Sequence, residues 1–90
     1  MANRLKGKVA LITGGAAGFG KKTAETLKNE GAVVYISDIN VDGGEKVAKE
    51  FDIKFFQHDV TKTDDWERVI KAIKECEGKL HILVNNAGIG

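Results

Sequence analysis

A chain of 90 residues with 42% apolar and 30% charged residues suits one small ordered domain, not a disordered segment. Its formal charge of +1 gives nucleic acid or an anionic membrane no special hold, and no apolar run approaches the ~18 residues of a membrane span. A single cysteine, Cys76, excludes an internal disulfide, and MANRLKGK lacks the apolar core of a secretion signal, so a cytoplasmic protein is expected.

KVALIT (8–13) is short, nearly continuous in apolar character and rich in β-branched residues, as suits a strand buried on both faces. Residues 18–30 have helical spacing, with Phe19, Ala24 and Leu27 on the apolar side and Gly31 as the stop. AVVYIS (32–37) reads as a second buried strand. Residues 41–50 predict a helix behind an Asn40 cap, aligning Val41, Val47, Ala48 and Phe51. Gly43 and Gly44 weaken that helix by about 1 kcal/mol each relative to alanine.

IKFFQH (53–58) predicts a third strand. A helix over 64–77 follows, its stripe formed by Trp66, Val69, Ile70, Ile73 and Cys76. Thr63 can cap it, Asp64 and Asp65 complement its dipole, and Gly78 ends it. LHILVNN (80–86) is the fourth strand. Strands alternating with helices, joined by short turns in a chain without proline, indicate an α/β fold with a parallel sheet.

The stretch TGGAAGFG (13–20) places four glycines where the first strand gives way to the first helix. A helix N-terminus presents unpaired N–H groups and partial positive charge, which suit an anion. Gly14 permits the tight turn, Gly18 lets a pyrophosphate approach the amides, and Gly20 lets helix and strand pack closely. A plain tight turn would use glycine too, so the pattern alone is ambiguous. Residues 15–21 also approximate a P-loop, G-x-x-x-x-G-K, but Lys22 stands where the Mg²⁺-binding hydroxyl belongs. A dinucleotide site gains a second feature in Asp38, which ends the second strand 18 residues after Gly20, where an acid can bind ribose hydroxyls.

TGGAAGFG resembles the T-G-x-x-x-G-x-G pattern of the short-chain dehydrogenase/reductase family. HDV (58–60) and NNAG (85–88) resemble two further motifs of that family, in the right order and on the right elements. The resemblance implies an N-terminal, NAD-binding half of Rossmann type, with four strands in the order 3-2-1-4 and helices on both faces. It implies that Gly14, Gly18, Phe19 and Gly20 line the pyrophosphate and that Asp38, followed by Ile39, holds the adenosine ribose. Asp59 and Val60 would meet adenine, while Asn86, Ala87 and Gly88 would flank the adenosine ribose. With an acid at position 38 and Ile39 after it where an arginine could stand, NAD is expected over NADP.

Hydride-transferring members of the family use a Y-x-x-x-K pair as acid/base and its support. The single tyrosine, Tyr35, lies within the second strand and is followed four residues later by Ile39, so no catalytic residue is assigned. His58 and His81 lack metal-site spacing and read as structural, no metal is expected, and Lys21 and Lys22 read as solvated. Two functions stay open: part of an enzyme that interconverts a small-molecule secondary alcohol and a ketone, or a free-standing dinucleotide-binding module without catalysis. Right-handed crossovers in this strand order put the first two helices on one face and the third on the other. The fourth strand is then an edge, with Leu80, Ile82 and Val84 on one side and Leu83 on the other, so a homo-oligomer is expected.

Overall fold

The computed structural model of the chain describes residues 4–86. Seven elements alternate without exception: β1 (Val9–Thr13), α1 (Gly18–Asn29), β2 (Val33–Asp38), α2 (Val41–Phe51), β3 (Lys54–Gln57), α3 (Thr63–Glu77) and β4 (Ile82–Asn85). The four strands form one parallel sheet in the order β3-β2-β1-β4. This is the Rossmann-type order that the family resemblance implies. Every residue of β1 is buried, because β1 has a strand on either side and helices on both faces. The edge strands β3 and β4 are only half-buried.

Alternation along the strands separates two cores. Ala10, Ile12, Val34 and Ile36 point to one face and pack with Ala24 of α1 and with Val47 and Ala48 of α2. Val9, Leu11 and Tyr35 point to the other and pack with Val69 and Ile73 of α3. Two helices therefore cover one face and one covers the other, as right-handed crossovers require.

Local chemistry sets the helix ends. Asn40 Oδ1 accepts from the Gly43 N–H at 3.0 Å and caps α2. Gly31 and Gly78 follow α1 and α3 with φ of +95° and +81°. Gly44, a poor helix former, has a packing reason: a Cβ there would stand 2.0 Å from Phe55 Cε1. Its absence lets α2 lie directly on β3.

Several expectations need correction. Thr63 does not cap α3, because the helix begins one residue earlier, with Thr63 inside it and Lys62 at the cap position. Cys76 is exposed, since the sheet-facing place at that level goes to Glu77, whose carboxylate meets the Tyr35 hydroxyl. Phe19 is 84% exposed and Val41 39%, because each lies in the first turn of a helix, beyond the strand ends. Leu80 packs on the α3 side while Ile82 and Val84 pack on the opposite side. Leu80 precedes the start of β4, so strand alternation does not govern it. Among the described residues, no helix is long and apolar enough to cross a membrane.

Candidate dinucleotide site at the carboxyl end of the sheet

The strand order reverses between β1 and β4, and the loops leaving the carboxyl ends of the strands gather above that point. Open parallel sheets bind ligands in such a crevice. The turn from β1 to α1 is built tightly into it. Gly14 takes φ +68°, and the Gly15 N–H donates to Ser37 O at 3.1 Å, so the turn lies against β2. Gly20 is buried under the same turn: a Cβ there would stand 2.0 Å from Gly14 O and 3.0 Å from Asn86 Nδ2. Asn86 Nδ2 itself donates to Gly14 O at 3.3 Å.

Gly18 differs. It takes φ +58°, and a Cβ would meet nothing within 4 Å among the described residues. The residue at the cap position, Ala17, offers no side-chain acceptor to the first turn of α1. The helix start is therefore open on the side where α2 has its asparagine cap. Phe19 stands exposed beside it.

Asp38 ends β2 and reaches back to the turn. Its Oδ2 accepts from the Ala16 N–H at 3.1 Å, and its Oδ1 accepts from the Asn40 N–H at 2.9 Å. Both oxygens keep lone pairs for a further donor. Asp38, Ile39, His58, Asp59 and Val60 together line a cavity of about 160 Å³. Asp59 Oδ1 accepts from the N–H and Oγ1 of Thr61, and these bonds hold its pKa below the usual carboxylate range. A larger, shallow depression of about 730 Å³ lies along α3, lined by residues of that helix alone, Trp66 and Ile70 among them.

Of the residues singled out in the sequence, Gly14, Gly18, Phe19, Gly20, Asp38, Ile39, Asp59, Val60 and Asn86 all fall at the carboxyl end of the sheet. Ala87 and Gly88 lie outside the described residues. Lys21 pairs with Glu50 at 3.3 Å and Lys22 with Glu25 at 3.4 Å, on the helical surface. His81 is structural: its Nδ1 accepts from the Val9 N–H at 3.0 Å. Among the described residues, no three His, Cys, Asp or Glu side chains cluster as metal ligands.

Sequence reasoning passed over the support beneath the cavity. His58 is 1% exposed, with Nδ1 2.8 Å from Ser37 Oγ and its ring edge-on to Trp66 at 4.4 Å between centroids. Burial lowers the His58 pKa below its ordinary value, with Asp65 pulling the other way, which favours the neutral ring. Trp66 Nε1 donates to Val60 O at 2.8 Å, and the Asp59 N–H donates to Asp65 Oδ2 at 2.8 Å. That bond in turn lowers the Asp65 pKa. A serine and a histidine ending adjacent buried strands were the available signal.

Tyr35 is unsuited to acid/base work. It is 1% exposed and donates to Glu77 Oε2 at 2.5 Å. Burial, and then the Glu77 bond and charge, push its pKa far above that of an ordinary phenol.

Comparison with known proteins gives one consistent relationship. The family model described as short chain dehydrogenase matches residues 8–90. A 3-beta-hydroxysteroid dehydrogenase of Comamonas testosteroni is 48% identical, over 99% of this chain and 36% of that protein. An NADP-dependent (R)-specific alcohol dehydrogenase of Lentilactobacillus kefiri is 42% identical, over 99% of this chain and 37% of that protein. The crystal structure of a 3-ketoacyl-(acyl-carrier-protein) reductase from Brucella melitensis, complexed with NADH, superposes with a TM-score of 0.89 at 43% identity. That superposition covers 96% of this chain and 36% of the reductase. The chain thus spans somewhat over a third of the length of the relatives it matches, and within that span both sequence and fold agree. On this agreement, with the family model spanning residues 8–90, the chain belongs to the short-chain dehydrogenase family.

Proposed function

We propose that residues 1–90 serve as the N-terminal dinucleotide-binding part of an oxidoreductase that interconverts a secondary alcohol and a ketone, with NAD as cofactor. One observation carries the cofactor reading: the Asp38 carboxylate, fastened to the Ala16 N–H, stands beside a helix start left open by Gly18. The residues fit such a ligand. The space at Gly18 admits a pyrophosphate to the first-turn amides of α1, where partial positive charge receives it. Asp38 retains acceptor capacity for ribose hydroxyls, and the cavity lined by Ile39, Asp59 and Val60 takes the adenine. Asn86 holds the turn from beneath, through Gly14 O.

A bound nicotinamide dinucleotide supplies or accepts the hydride. This chain's residues bind it, orient it and select between NAD and NADP. A 2′-phosphate would face the Asp38 carboxylate, and two like charges at about 4 Å cost on the order of 4 kcal/mol at an effective dielectric near 20. Water at the half-exposed site reduces that, leaving a preference of about one to three decades for NAD. The names of the relatives, a hydroxysteroid dehydrogenase, an alcohol dehydrogenase and a ketoacyl reductase, support the alcohol/ketone reading.

The buried, glutamate-bound Tyr35 provides no acid/base group. Residues 1–90 alone are therefore expected to bind NADH without turning over any secondary alcohol. Titration with NADH, followed by nicotinamide absorbance across a panel of alcohols with NAD, tests both parts. Absence of NADH binding would remove the cofactor reading, and sustained NADH production by pure chain would overturn the assignment of catalysis elsewhere.

A further inference from the structure

The His58 ring has one nitrogen near Ser37 Oγ, at 2.8 Å, while its Nε2 is buried with no hydrogen-bond partner among the described residues. It also forms part of the wall of the 160 Å³ cavity, with Asp38, Ile39, Asp59 and Val60. A buried polar atom without a partner is uncommon in folded proteins, and here it lies beneath a candidate ligand site.

We infer that His58 is a positioning residue of the adenosine pocket, whose neutral imidazole keeps residues 58–60 in the shape that receives a purine, so that dinucleotide affinity is coupled to its protonation. The inference rests on the cofactor reading above. His58 acts through its neighbours. Its backbone N–H donates to Asp38 O at 3.0 Å, its ring meets Trp66, and Trp66 Nε1 holds Val60 O. The ring thus sets the distance between the end of β2 and the loop that follows β3.

A neutral imidazole has one N–H, and the Ser37 hydroxyl can serve the Nδ1 position in either tautomer. An imidazolium has two. With Ser37 Oγ accepting one, the other would be a charged donor at a buried position with no acceptor among the described residues. The charged groups facing the ring are Asp38 at the end of β2, Asp59 in the loop, and Asp65 and Arg68 on α3. The carboxylates are already engaged: Asp38 with Ala16 and Asn40, Asp65 with the Asp59 N–H, Asp59 with Thr61. Turning any of them toward the ring breaks a bond that shapes the pocket. A purine seated above would remove remaining water and deepen the preference for the neutral ring.

The sign follows. If the ligand favours neutral His58, binding lowers the His58 pKa further, and affinity falls as pH drops through the free-state pKa. The limit is tenfold per pH unit. The experiment is an NMR titration of both histidine rings in the full chain, with and without saturating NADH. The expected result is a His58 midpoint lowered by at least about half a unit by NADH, equal to a threefold coupling, while His81 stays still. An unmoved His58 midpoint in NADH-bound protein overturns the inference and leaves the cofactor reading intact, whereas no NADH binding at any pH overturns both. In a second measurement, NADH affinity is compared at about pH 8 and about pH 5.5 in wild type and His58→Asn. Asparagine retains a polar group for Ser37 but cannot titrate. The variant is expected to bind more weakly at the higher pH yet lose the acid-side fall, and a fall parallel to wild type would overturn the coupling.

Discussion

The Asp38 carboxylate accepts the Ala16 N–H at 3.1 Å, so the end of β2 and the turn after β1 hold each other across 22 residues of chain. One side chain thereby shapes the turn and presents negative charge beside it. Asp38→Ala removes both effects. The wild-type chain is expected to bind NADH about ten- to a thousandfold tighter than NADPH, and the variant to bring the two within about threefold. Parallel titrations check this, and equal wild-type affinities would take Asp38 out of cofactor selection. Loss of two charge-assisted bonds at a half-exposed site should also cost about 1–2 kcal/mol in urea unfolding.

Two glycines in one turn are expected to fail differently. Gly20→Ala would gain about 1 kcal/mol in helix propensity, but its Cβ would stand 2.0 Å from Gly14 O. The clash is with backbone and wins, for a net loss of about 2 kcal/mol or more. At Gly18 the space is open and only the φ of +58° resists, so Gly18→Ala should cost about 1–2 kcal/mol. Its larger effect should be on NADH, with affinity reduced at least about tenfold. Denaturant melts and NADH titrations of both variants separate packing from ligand approach, and a Gly18→Ala chain with full affinity would contradict the open-space reading.

The Tyr35–Glu77 bond makes alkaline stability depend on one phenol. Its folded pKa lies above the unfolded value of 10.0, so the folded state keeps a proton that the unfolded state releases. The resulting stabilisation is fully present below pH 10 and is lost as pH rises through the folded pKa. Wild type should therefore lose stability above about pH 10, while Tyr35→Phe should lack that component of the fall. The variant should also be about 1.5–3 kcal/mol less stable at pH 7, since Glu77 loses its donor. Urea melts at several alkaline pH values, with tyrosinate absorbance as a direct monitor, test the sign.

Among the described residues β4 pairs with β1 alone, and Leu83 on its α3 side is 51% exposed. An edge of this kind recruits another strand, and apolar surface beside it adds to the attraction. Isolated residues 1–90 should self-associate, most simply as a two-fold dimer. Sedimentation over a wide concentration range would show it, and Leu83→Lys should shift the equilibrium toward monomer by about tenfold or more. A monomer at every concentration would mean that the edge is protected.

Element order was legible in the sequence because it follows from short-range pattern; the strand order came from the family resemblance, and chain handedness then divided the helices between the faces. Residues such as Ala10 and Leu11 declare opposite faces by alternation alone, and three glycine-bearing and acidic motifs marked the carboxyl end of the sheet. Periodicity was less informative where an element outran its partner. Phe19, Val41 and Cys76 all fit an apolar stripe, yet they stand at helix ends, beyond the strand ends or with the place taken by another side chain. The contacts that build the candidate site were not legible. Asp38 to Ala16, Ser37 to His58, Trp66 to Val60 and Gly20 to Gly14 join different elements or opposite ends of one turn. Such contacts depend on distances of a few tenths of an ångström, set only when the elements pack. Local sequence determines which element forms and which face it buries; tertiary packing decides which buried polar atoms find partners and which, like His58 Nε2, find none among the described residues.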